Sequence, residues 1–93
     1  MIYEIRFTEK AENDIEQIYS YISTEYQSEN TAKSIVSGIL NSIETLNTFP
    51  FRCSPFRLNE RYRVLFYKSY NIVYEVSESK VIVNSVIPSV LIN

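Results

Sequence analysis

The spacing of the apolar residues changes once along this chain, and that change restricts the fold more than any other feature. From Ala11 to Leu46 apolar side chains recur every three or four residues; from Tyr62 onward they recur every second one. Helical spacing followed by strand spacing within 93 residues predicts a single α+β domain over 1–93. A second domain would leave neither part with an adequate core.

Before the first helical stretch, Tyr3, Ile5 and Phe7 alternate with Glu4 and Arg6, the pattern of a half-buried strand over 2–7. Thr8 is the expected N-cap of a helix, with Glu9 and Glu12 in the first turn, where the helix dipole favours anions. The stripe Ala11, Ile15, Ile18, Tyr19, Ile22 carries this helix to about Tyr26. Ser28 is placed to cap a second helix with the stripe Ala32, Ile35, Val36, Ile39, Ile43, Leu46, stopped by Pro50. The short connection predicts an antiparallel helix hairpin. Gly38 inside the second stripe costs about 1 kcal/mol relative to Ala, which suits a close approach by the first helix. Both helices are long and acidic, which argues against a DNA-binding helix-turn-helix.

Residues 50–60 read as loop with a short strand near Phe56–Leu58. Strands follow over 61–67, 70–76 and 80–87, separated by Lys68-Ser69 and Ser77-Glu78-Ser79, as in an antiparallel meander. The helix pair is expected to cover Tyr62, Val64 and Phe66 together with Tyr70, Ile72, Tyr74 and Val76. The open face would then carry Arg61, Arg63, Leu65, Tyr67, Asn71, Val73 and Glu75, joined by Glu4 and Arg6. The last strand is apolar on both parities, so its facing stays open.

Several chemistries are excluded early. The chain has no His or Trp, one Gly and one Cys. Without His, zinc binding and a hydrolase triad lose their usual ligand and base. One glycine cannot build a phosphate loop, so no cofactor or metal is expected. Cys53 reads as a small loop or core residue, and Glu12, Asp14 and Glu16 as solvated helix surface. The Tyr19, Tyr26, Tyr62, Tyr70, Tyr74 stripe reads as core. No apolar run reaches the ~18–20 residues of a membrane span, and the N-terminus does not resemble a signal peptide; the cytoplasm is the expected location.

Charge is unevenly placed. Residues 1–49 carry three cations and eight anions, and residues 50–93 six cations and three anions. Five of those six cations lie between 52 and 68, a local field suited to an anionic partner. Arg61 and Arg63 offer planar donor forks on one strand, with Tyr67 farther along. The alternative is an ordinary solvated face in which Glu4 and Glu75 pair with these cations.

The ordered set Phe7-Thr8-Glu9-Lys10-Ala11-Glu12-Asn13-Asp14-Ile15-Glu16-Gln17-Ile18 followed by Tyr21-Ile22, then Ile43-Glu44-Thr45-Leu46-Asn47-Thr48-Phe49-Pro50, Arg61-Tyr62-Arg63-Val64-Leu65, Tyr70-Asn71-Ile72-Val73-Tyr74-Glu75-Val76 and the strand ending Val86-Ile87 resembles the RelE/ParE toxin superfamily of type II toxin–antitoxin modules. The resemblance implies a β-α-α-β-β-β fold, a growth-inhibiting toxin and a cognate antitoxin through which alone the toxin meets DNA. It also allows a homodimer or a toxin–antitoxin hetero-oligomer. RelE-like members cleave mRNA on the ribosome with cations and a Tyr or His on the open sheet face; ParE-like members poison DNA gyrase instead. Arg57, Arg61, Arg63 and Lys68 would form the target-binding set, and Arg61, Arg63 and Tyr67 the catalytic set of a nuclease. Asn71 stands where nuclease members, and many ParE members too, carry an arginine, and the tail 88–93 has no Arg, His or Tyr where nuclease members keep theirs. These departures, with a net charge of −2, favour the ParE-like branch; a non-toxic module that keeps only the antitoxin grip is the third alternative.

Overall fold

The computed structural model describes residues 1–91. β1 (Glu4–Phe7) leads into α1 (Glu9–Glu25) and α2 (Glu29–Glu44), and a 3-10 turn at Thr45–Asn47 extends the second helix. The short β2 (Pro55–Phe56) precedes β3 (Asn59–Tyr67), β4 (Tyr70–Ser77) and β5 (Lys80–Pro88). The strands form one sheet in the order β1-β5-β4-β3-β2, with the helix hairpin on one face. This is the α+β arrangement expected. The sheet is mixed, because β1 joins β5 in parallel while the other ladders are antiparallel.

The helix boundaries follow their caps. Thr8 Oγ1 accepts from the Ala11 N–H at 3.1 Å, and Ser28 Oγ from the Thr31 N–H at 3.1 Å. Between the helices Gln27 takes a left-handed φ of 50°. The buried stripes are Ala11, Ile18, Ile22 and Ala32, Ile39, Ile43, Leu46, packed on Ile72, Tyr74, Val81, Val83 and Val86. Tyr26, expected in the core, is instead 67% exposed at the end of α1.

The facing of β3 is the reverse of that expected. Lys68-Ser69 is a two-residue turn, so Tyr67 stands directly opposite Tyr70 and Arg63 opposite Tyr74. Arg63, Leu65 and Tyr67 therefore share the helix side with Ile72 and Tyr74. Tyr62, Val64 and Phe66 share the open side with Asn71, Val73 and Glu75. Leu65 and Tyr67 pack on the main core, while Phe56, Val64 and Val73 form a second apolar cluster flanked by Tyr62 and Ile87. Phe66 is 67% exposed. Strand pairing has a period of two, so a one-residue error in facing moves a whole strand's side chains across the sheet.

Apolar residues of both parities in β5 have a structural cause. The register between β4 and β5 shifts between Val73 and Tyr74, leaving Asn84 as an extra residue. Val81 and Val83 face the helices before the bulge and Val86 after it. Residues of α1 and its cap satisfy the loosened backbone: the Thr8 hydroxyl donates to Asn84 O at 2.9 Å, and Asp14 Oδ2 accepts from the Val86 N–H at 3.0 Å. Asp14 is thus a structural acceptor rather than mere solvated surface. Asp14→Ala is expected to lower stability by about 1.5–3 kcal/mol, read from urea unfolding, whereas Glu16→Ala should cost under about 0.5 kcal/mol.

Candidate functional site

The cationic stretch from Arg52 to Lys68 does not converge on one point. Arg61, two residues before Arg63 on β3, is exposed and its guanidinium reaches across to β4. There its Nε donates to Glu75 Oε2 at 3.1 Å and its Cζ lies 5.5 Å from the Tyr62 ring centre. The bond to Glu75 is the main cause holding its pKa above the ordinary arginine value. Much of the Arg61 charge is therefore answered within the sheet. Arg6 and Glu4 pair in the same way on β1. The alternative of a self-paired solvated face therefore describes these two arginines.

Arg63 lies on the opposite side of the sheet, beneath the loop that follows α2. Its Nη1 donates to Cys53 O at 2.6 Å and Phe51 O at 3.4 Å, and its Cζ sits 5.1 Å from the Phe51 ring centre. The expectation that Arg63 points out beside Arg61 is corrected; the two-residue turn decides it. Tyr67 is on that side too, with its hydroxyl against Gly38 of α2. The close neighbour at Gly38 is therefore a β3 tyrosine rather than the first helix. Lys68 occupies the β3–β4 turn at a left-handed φ of 50°, its Nζ 5.8 Å from the Tyr67 ring centre. Arg57 is exposed and lines a shallow pocket of about 190 Å³ with Ser54, Pro55, Phe56, Val64, Phe66 and Asn71.

The floor of the open face is thus apolar. Asn71, where an arginine was looked for, is buried and accepts from the Ser89 hydroxyl at 2.8 Å. Ile92-Asn93, the end of the tail weighed above, lie outside the described residues. No group of three or more metal-ligating side chains gathers among the described residues, and no helix among them is long and apolar enough to cross a membrane.

One surface was not singled out by sequence reasoning. The Pro50–Pro55 loop carries Phe51, 57% exposed, and follows Phe49, 69% exposed. Tyr74, at the centre of the core, donates its hydroxyl to Pro50 O at 2.6 Å, and Arg63 grips the same loop through its carbonyls. Arg52 bonds to Thr45 O at 3.1 Å and to Thr45 Oγ1 at 2.7 Å. The only signal for this surface was two phenylalanines flanking a proline, which is equally the pattern of a buried loop.

Residues 5–89 match the family described as the ParE toxin of type II toxin–antitoxin system, parDE. No curated protein sequence is significantly similar to this one. The fold is similar to that of a chain in the chromosomal ParDE toxin–antitoxin system from P. aeruginosa. That match has a TM-score of 0.85 at 15% identity and covers 94% of this chain and 96% of the other. It is also similar to a chain in the RelBE2 toxin–antitoxin complex from Mycobacterium tuberculosis, with a TM-score of 0.66 at 17% identity and coverage of 95% and 99%. With a family match over nearly its whole length and this strand order and helix hairpin, the chain belongs to the ParE toxin family of type II toxin–antitoxin systems.

Proposed function

We propose that this toxin inhibits growth by binding a protein target, DNA gyrase, without cleaving RNA, and that a cognate antitoxin neutralises it in the cytoplasm and provides its only link to DNA. The observation that carries this reading is the open sheet face, whose centre is Phe56, Val64 and Val73. A ribonuclease working there would need cations around the developing phosphorane and a group to activate the 2′-hydroxyl. The residues available for that work diverge: Arg61 pairs with Glu75, Arg63 holds a loop on the other side, and Tyr67 packs against α2. A net charge of −2 also suits a protein partner better than ribosomal RNA.

Purified protein added to a gyrase supercoiling assay and, in parallel, to a translating extract tests the reading. Inhibited supercoiling with intact mRNA is the expected pair of results. Cleaved mRNA with normal supercoiling would assign the chain to the nuclease branch. Activity in neither assay, together with unimpaired growth after induction, would make it a binding module.

A further inference from the structure

We propose that the loop carrying Phe49, Phe51 and Arg52, together with Ile2, Tyr3 and Arg63, is a docking surface for a partner-protein segment that presents a carboxylate beside aliphatic or aromatic residues. The inference rests on the reading above, in that it locates where a protein target is held.

Three observations support it. First, the patch carries several exposed apolar side chains. Phe49 and Phe51 are exposed, as is Ile2, and the Tyr3 ring meets the Phe51 ring edge-on at 6.3 Å between centres. The Tyr3 N–H donates to Asn47 O at 2.7 Å, which brings the β1 end beside the loop. Exposed aromatic clusters of this kind are characteristic of protein interfaces.

Second, the charge on the patch is unanswered. Arg52 and Arg63 bond only to carbonyl and hydroxyl oxygens, and neither forms an ion pair with a carboxylate among the described residues. Arg61, by contrast, is paired with Glu75. Two guanidinium groups without a carboxylate partner, one of them over the Phe51 ring, match an acidic segment with apolar anchors, the pairing that concentrates binding energy at interfaces.

Third, the loop is held in advance. The buried Tyr74–Pro50 and half-buried Arg63–Cys53 hydrogen bonds, both 2.6 Å, fix its backbone, so little ordering cost is left for the partner to meet. Ile2 favours protein over nucleic acid, since an aliphatic side chain gives a base nothing to stack on.

The test uses the full chain, immobilised, against a randomised displayed-peptide library, with labelled single-stranded RNA as a second probe. Enriched peptides should combine Asp or Glu with Leu, Phe or Trp. They should bind Phe49→Ser and Arg52→Glu about tenfold or more weakly than wild type. Both side chains are exposed, so thermal unfolding should be little changed; if Arg52→Glu loses its fold, Phe49→Ser decides alone. Peptides that lack acidic residues, or bind the variants equally well, overturn the proposal, as does an empty selection. RNA binding that is lost with Arg52→Glu overturns it in favour of nucleic acid. A protein that ignores gyrase yet selects such peptides defeats only the choice of target.

Discussion

Tyr74→Ala is expected to remove about 3–5 kcal/mol of stability, a large share of the roughly 5–15 kcal/mol typical of a native domain, read as a lowered urea midpoint. Tyr74 is fully buried on the central strand, against the helix hairpin, and its hydroxyl donates to Pro50 O, tying the core to the loop after α2. Tyr74→Phe isolates the polar part. It keeps the ring but leaves Pro50 O without its donor, which should cost about 1–3 kcal/mol by urea denaturation.

The same pair of proteins reports on pH. Burial raises the Tyr74 pKa above the ordinary 10.0, the nearby Cys53 raises it further, and Arg63 and Arg52 pull it down. The folded protein thus keeps a proton that the unfolded chain releases near pH 10. The stabilisation is complete below about pH 10 and is lost as pH rises toward the folded value. The stability gap between wild type and Tyr74→Phe should therefore be constant at neutral pH and narrow above pH 10. A gap that widened there would mean that the phenol is not held neutral by burial.

Gly38→Ala should destabilise the protein by about 1–3 kcal/mol, although Ala is the better helix former. A Cβ at position 38 would stand 1.8 Å from Tyr67 Oη and 2.4 Å from its Cζ, so the whole ring must move. Removing only the hydroxyl leaves the ring carbon too close, and Tyr67→Phe should not rescue the variant. In a Tyr67→Ala background the sign should reverse, with Gly38→Ala stabilising by up to about 1 kcal/mol through helix propensity. Additive effects across this cycle would show that the two residues do not meet.

Much of the architecture was readable before any coordinates. The caps at Thr8 and Ser28 were legible because a side-chain oxygen ahead of an amphipathic stripe satisfies local backbone donors. The facing of β3 is also encoded, in the two-residue length of Lys68-Ser69, which sets Tyr67 opposite Tyr70 whatever the polarity of the residues around them. Tyr62, Val64 and Phe66 looked like core because they are apolar; they form or border a second cluster on the side away from the helices. Polarity alone cannot tell two apolar faces of one sheet apart. The bulge at Asn84 was hidden for a similar reason, since it depends on the pairing of β4 with β5.

The candidate site divides along the same line. Local order along the chain determined the helix hairpin, the strands and the family to which they belong, because propensity, capping and periodicity act over a few neighbouring residues. Only the folded chain decided that Arg61 would be neutralised by Glu75 while Arg63 lies over Phe51 with no carboxylate partner. That outcome is set by contacts between residues far apart in sequence, such as Tyr74 with Pro50 and Arg63 with Cys53. The spacing of residues along a chain carries no information about which carboxylate a distant guanidinium will reach.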